Sequence, residues 1–284
     1  MSKFNKHIII VGSARSGTSW LAETIAKQYR YRSLFEPEHE YNTPNGHLLC
    51  DRWVTQKEGF KKGYTYLKKV FANRVDNDWI AQNSNRKWKR HLWPFIPKKY
   101  VIKFVRCNLA APYMQEEFGI PVVHIVRNPY DVLHSQQRVK FPWLYDLSRF
   151  ANDAALVELL REEFQFQFKE ESKYAPLEKL AIRWCIENVV PITSQKAESK
   201  NYRLIRHEDL RNNIGVFLQL CSDFNLEPLA NVATEYTKPS SKTHPKSTII
   251  TPETHAKQFS NDELQQINAI LDTFGAHFYP RQHP

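Results

Sequence analysis

The residues whose spacing carries the most chemistry are Gly12-Ser13-Ala14-Arg15-Ser16-Gly17-Thr18-Ser19. They stand between an apolar run and a helical pattern, with the glycine spacing of a Walker phosphate loop. In such a loop, backbone N–H groups and a helix N-terminus surround an anion. The Walker loop carries lysine where this chain has Thr18, and a cation appears instead inside the loop, at Arg15. Arginine offers a planar, bidentate fork that matches phosphate or sulfate oxygens. A kinase or NTPase uses the missing lysine together with a strand-end aspartate that organises magnesium, but the comparable strand of this chain ends at Arg127. The loop keeps anion binding and lacks the metal-dependent apparatus.

A second element lies in Val122 to Ser135, where Arg127 ends an apolar strand and Ser135 follows two turns along the next helix. That spacing lets both residues converge on one phosphate. With both elements in this order, the chain resembles the family of sulfotransferases that use 3'-phosphoadenosine 5'-phosphosulfate (PAPS), and its motifs are closest to the carbohydrate and tyrosyl-protein branch. The resemblance implies PAPS as the sulfuryl donor, released as 3',5'-adenosine bisphosphate, with no metal required. It also implies that Arg15, Gly17, Thr18 and Ser19 hold the 5'-phosphosulfate, with Ser16 and Trp20 in the same donor-binding set. By the same resemblance, Arg127 and Ser135 hold the 3'-phosphate.

Sulfuryl transfer, like phosphoryl transfer, needs in-line positioning, cations for the leaving group and a base for the acceptor's proton. Arg15 is the first candidate cation. Lys103 or Arg106, near the end of the strand Val101 to Arg106, is the next, since family members carry a basic residue there. The family's base is histidine or glutamate, and Phe35-Glu36-Pro37 resembles the Glu-Pro element of the carbohydrate branch, which makes Glu36 the candidate; Glu38 and His39 are its rivals. Leu204 to Leu210 looks like the family's V-R-Y-E-D-L segment, with His207 where tyrosine is commoner. Glu208 and Asp209 there are read as capping carboxylates. Trp184, in the family-like pattern Ala181, Trp184, Asn188, is read as a core residue in preference to a wall for the adenine.

The elements that must position these groups follow from periodicity. Strands are expected at His7 to Val11, about Arg32 to Phe35, Tyr100 to Val105, Val122 to Val126 and Tyr202 to Ile205. Helices are expected at Trp20 to about Tyr29, Leu109 to Phe118, from Pro129, Asp153 to Phe168, Leu177 to Ser199 and Ile214 to Phe224. Ser260 and Glu263 form a capping box for a last helix that ends near Gly275. Alternating strands and helices imply an α/β fold: a P-loop-like, doubly wound, mainly parallel sheet with ligands at the strands' carboxyl ends. Residues 41–99 are aromatic-rich and poorly periodic, which suggests an insertion with short helices that shapes the acceptor site. Pro239 to Thr251 reads as an exposed loop.

The chain's 284 residues fit one domain. Forty basic against thirty acidic residues give a net charge of +10, which suits a polyanionic ligand. The densest basic cluster is Arg86, Lys87, Lys89, Arg90 and His91. Four widely spaced cysteines, Cys50, Cys107, Cys185 and Cys221, argue against zinc and disulfides, and the last two sit in apolar helical patterns as small hydrophobes. The early apolar run Ile8 to Val11 is too short for a membrane span or a signal-peptide core, so a cytoplasmic location is expected. Expected partners are a small-molecule or carbohydrate acceptor, sulfated on a hydroxyl or alternatively an amine, with no nucleic acid. The competing functions are a nucleotide-dependent phosphotransferase, disfavoured by Thr18, and a non-catalytic polyanion-binding module, which leaves the two nucleotide motifs unexplained.

Overall fold

The computed structural model describes residues 4, 6–27, 31–75, 77–82, 99–193, 201–227, 231–238, 240–241 and 259–283. Five short strands, β1 (Ile8–Val11), β2 (Tyr31–Phe35), β3 (Lys99–Lys103), β4 (Val122–Val126) and β5 (Tyr202–Arg206), form one sheet in the order β2-β3-β1-β4-β5. Every neighbouring pair is parallel. The central strands β1 and β4 are buried at every position, as a sheet covered on both faces demands.

Helix α1 (Thr18–Ala26) follows β1, and α2 (Lys61–Phe71) and α3 (Asp78–Ala81) lie between β2 and β3. Helix α4 (Ala111–Phe118) joins β3 to β4. Between β4 and β5 run α5 (Pro129–Val139), α6 (Ser148–Ala151), α7 (Ala154–Phe164) and α8 (Pro176–Thr193). After β5 come α9 (His207–Asn212), α10 (Ile214–Asp223), α11 (Val232–Thr237) and α12 (Asn261–Thr273). No described helix is long and apolar enough to cross a membrane.

Strand alternation divides the core. Ile8 and Ile10 face Leu21 and Ile25 of α1 and Phe217 of α10. Ile9 and Val11 face Leu67 and Phe71 of α2 and Met114 of α4. A third cluster packs α5, α7 and α12 around α8, with Trp184 and Cys185 inside it. All four cysteines are free and buried. The last helix opens with the expected capping box between Ser260 and Glu263.

The helix expected over Asp153 to Phe168 ends at Phe164, because Gln165 turns left-handed at φ 52° and the chain then runs extended. Phe166 keeps the apolar spacing of a helix but inserts its ring beside Phe274, 4.9 Å between centroids. Strand β3 stops at Lys103, two residues short of the expected end. Helix α1 begins at Thr18, two residues before the expected start. The cluster Arg86 to His91, the end of the helix expected to reach Ser199 and most of the loop from Pro239 to Thr251 lie outside the described residues.

Register fixes what emerges at the sheet's carboxyl edge. Lys103 is level with both Ile10 and Phe35, Val11 with His124, and Val126 with Arg206. The loop from Gly12, the turn at Glu36, the exit from Lys103, Arg127 and His207 therefore leave the sheet on one rim.

Candidate active site

The phosphate loop lies against backbone on one side and a ring on the other. A Cβ at Gly12 would sit 2.5 Å from the Ile125 carbonyl oxygen, and one at Gly17, whose φ is 92°, would sit 2.4 Å from the His207 ring. Only glycine fits either place. The Gly12 N–H donates to Asn108 Oδ1 (2.8 Å), and Gln136 Nε2 donates to the Ala14 carbonyl (3.0 Å). Gly17 caps α1 with no side-chain partner for the helix N-terminus, and no acidic residue occupies the first turn. That end of the helix keeps its positive dipole.

Residues of the two motifs meet there. Arg15, held left-handed at φ 76°, donates from Nε to Ser135 Oγ (2.9 Å), and Arg127 Nη1 donates to the Arg15 carbonyl (3.0 Å). Burial lowers the proton affinity of Arg15, and Arg127 and Arg138 lower it further. Asp131 offsets the cluster only in part, 3.6 Å from Arg127. Ser16 Oγ and Arg127 Nε are buried with no hydrogen-bond partner among the described residues. Leaving such donors unpaired costs roughly 1–3 kcal/mol each. Concentrated cations and orphaned donors fit the oxygens of a multiply charged anion. Of the other predicted donor residues, Thr18 is buried, Ser19 is partly exposed, and Trp20 packs edge-on against Tyr236 at 5.1 Å.

On the other half of the rim stands a carboxylate–ammonium pair. Strands β1 and β2 are not neighbours; β3 runs between them and brings Lys103 beside Glu36, whose carboxylate it pairs. Lys103 is only 2% exposed, where a solvent-facing strand lysine would be bare, and its ammonium lies 4.5 Å from the Phe35 ring centroid. Glu36 turns left-handed at φ 41°, and its N–H donates to the Lys103 carbonyl (2.9 Å).

Its rivals are engaged elsewhere. Glu38 is buried and accepts the N–H groups of Val105 (2.6 Å) and Arg106 (3.1 Å). Burial, reinforced by Glu36, raises its carboxyl to about 7. His39 turns its Nδ1 to the Asn42 N–H (3.2 Å) and its ring edge to Trp79. Arg106, the alternative to Lys103, is bound to Asp51 and Glu40. Burial opposes the Arg106 cation, but Asp51 outweighs it and its proton affinity rises.

Beneath this rim lies a buried ion network that the sequence reading missed. Arg183 pairs with Asp51 (3.1 Å) and Glu187 (2.9 Å) and donates to the carbonyls of Leu144 and Asp146. Burial opposes the Asp51 charge, and Arg183 and Arg106 more than reverse that, holding its carboxyl low. Asn108 and Gln136 were missed too. The available signal was polar side chains at otherwise apolar helix positions, since such groups are buried only with partners.

Glu208 accepts the Asn128 N–H (3.0 Å) and the Tyr279 hydroxyl, which also donates to the Val126 carbonyl (3.1 Å). The Gln282 N–H reaches Tyr130 Oη (3.0 Å). Residues near position 280 thus lace onto the strand end that carries Arg127. His207, against Gly17, is held neutral: burial, then Arg127 and Arg211, lower it to about 3.

No protein-family model matches the chain, and no curated protein matches it in sequence. Among solved structures, the sulfotransferase domain from the curacin biosynthetic pathway is similar with a TM-score of 0.52 at 15% identity, covering 98% of each chain. The sulfotransferase domain from the Synechococcus PCC 7002 olefin synthase has a TM-score of 0.51 at 15% identity, over 96% of this chain and 95% of that one. A sulfotransferase from Mycobacterium avium has a TM-score of 0.50 at 10% identity, over 99% and 79%. At such identities the likeness is one of architecture, and by it this chain has the sulfotransferase fold.

Proposed function

We propose that the protein is a sulfotransferase that moves a sulfuryl group from PAPS to a hydroxyl of a small-molecule or carbohydrate acceptor. The observation that carries this is the meeting of Arg15, Arg127 and Ser135, from two motifs more than a hundred residues apart, at an uncapped helix N-terminus. Arg15 with Ser16, Gly17, Thr18, Ser19 and Trp20 takes the 5'-phosphosulfate, and Arg127 with Ser135 takes the 3'-phosphate. Glu36 removes the acceptor proton, the freed oxygen attacks sulfur, and the sulfur–oxygen bond to the 5'-phosphate breaks with its electron pair left on the bisphosphate. Arg15 and Lys103 neutralise that leaving group. The chain acts as a single domain, with the described residues 41–75 and 77–82 contributing to the acceptor side.

The test is nucleotide binding without magnesium. At a hundredfold excess over its Kd, 3',5'-adenosine bisphosphate is expected to stabilise the protein by about 2.7 kcal/mol. Arg127→Ala should erase the preference for the bisphosphate over AMP, a loss of roughly tenfold to hundredfold for a charge-assisted contact. Equal stabilisation by AMP in the parent protein, or a requirement for magnesium, would refute the proposal.

A further inference from the structure

Under the phosphate loop runs a chain of buried hydrogen bonds that no motif announces. Asn188 of α8 places Nδ2 2.7 Å from Ser13 Oγ and 2.7 Å from the Trp184 carbonyl. Its Oδ1 lies 3.2 Å from His124 Nε2, and His124 Nδ1 lies 2.8 Å from the Tyr202 hydroxyl. Ser13, His124 and Asn188 are fully buried.

The hydrogens in this chain have one consistent arrangement. A carbonyl only accepts, so the group facing Trp184 must be the Asn188 amide nitrogen, which leaves Oδ1 to accept from His124. His124 therefore carries its proton on Nε2 and accepts at Nδ1 from the tyrosine hydroxyl. Burial supports a neutral ring, lowering His124 to about 4. From Tyr202 through His124 and Asn188 to Ser13 the donors run toward the loop, and burial raises the Glu187 carboxyl, which Arg183 and, less, the Ser13 hydroxyl offset in part.

The loop needs such an anchor. Arg15 is left-handed at φ 76°, a conformation that costs a non-glycine residue of order 1–3 kcal/mol and persists only where the surroundings impose it. The two residues before it are each pinned by a buried amide, Ser13 by Asn188 and Ala14 by Gln136.

We propose that Ser13 is a positioning residue for anion binding, clamped from below by Asn188 so that Arg15 and the loop amides are already set when the 5'-phosphate group arrives. This deepens the donor-site reading and rests on it. Neither residue touches the nucleotide; both act through the shape of the loop.

The test is calorimetric titration of Ser13→Ala, Asn188→Ala and the double variant with 3',5'-adenosine bisphosphate, AMP and adenosine 3'-phosphate. Each single variant should lose about tenfold in affinity for the bisphosphate and for AMP, the upper range for one neutral hydrogen bond. Adenosine 3'-phosphate, which does not use the loop, should bind each variant as it binds the parent. The double variant should lose no more than the weaker single, because the contact that sets the loop is the one shared by the two residues. Parental affinities with only a lower melting temperature, additive losses, or an equal loss for adenosine 3'-phosphate would overturn the proposal. Should Asn188→Ala not fold, the contrast between AMP and adenosine 3'-phosphate in Ser13→Ala decides alone. A parent protein that binds none of the three nucleotides refutes the donor-site reading itself, an outcome visible before any variant is made.

Discussion

The two halves of the rim handle charge in opposite ways. On the half proposed for the donor, Arg15, Arg127 and Arg138 crowd one another beside a helix N-terminus, with Asp131 as a partial counterweight. On the half proposed for the acceptor, each of three buried cations has a carboxylate: Lys103 has Glu36, Arg106 has Asp51 and Glu40, and Arg183 has Asp51 and Glu187. A half that accumulates like charge stores electrostatic energy that a polyanion releases. A half that cancels its charge internally is built for shape, and can host a neutral acceptor without a counter-ion.

That contrast can be broken at three places, in descending order of effect. Glu36→Gln keeps the size and hydrogen bonding of the side chain but cannot take a proton, so turnover with PAPS and a genuine acceptor should fall by about 10²- to 10⁴-fold while bisphosphate affinity holds. Parallel Glu38→Gln and His39→Asn variants show whether a neighbour is the base instead. Parental turnover in Glu36→Gln across pH would remove it from the chemistry.

Arg183→Met leaves Asp51 and Glu187 buried with less compensation, and breaking such a pair from one side costs about 3–5 kcal/mol. Urea unfolding is the measurement; a midpoint near that of the parent would mean the network relaxes at no cost. By the same contrast, a change of similar size on the donor half should cost less stability than binding.

The smallest effect is a difference in pH dependence. On the donor half, His207 is lowered to about 3, so the unfolded chain takes up a proton that the fold refuses, and His207 withdraws stability as pH falls from about 6.5. On the acceptor half, Glu38 is raised to about 7, so the fold holds a proton that the unfolded chain releases above about 4.5. Its contribution is present at acid pH and is lost as pH rises through 7. Melting temperatures between pH 4.5 and 7.5 should therefore change slope in opposite senses in His207→Asn and Glu38→Gln, each pKa unit counting about 1.4 kcal/mol. Slopes that move the same way would contradict the assignment.

The motifs proposed to hold the donor could be picked out in the sequence because they depend on local spacing: two glycines, an arginine between them, and a serine two turns beyond a strand-end arginine. On the other half the sequence singled out Glu36 and Lys103, which the fold brings side by side. The network there joins Asp51 to Arg183, whose proximity follows from packing of α8 and leaves no trace in local pattern. Strand order was hidden for the same reason. Chain order suggests that the first two strands lie side by side, while the fold inserts β3 between them and so brings Lys103 against Glu36.

The hydroxyl of Tyr279, which joins Glu208 and the Val126 carbonyl, sets a timetable for the protein's synthesis. The phosphate loop leaves the ribosome some 260 positions ahead of Tyr279, the residue that braces the strand end carrying Arg127. At roughly 5–20 residues per second, translation separates the two by on the order of ten to fifty seconds. During that interval a nascent chain holds a crowded arginine cluster without its final brace. The arginine cluster is thus completed by a contact made long after its first member.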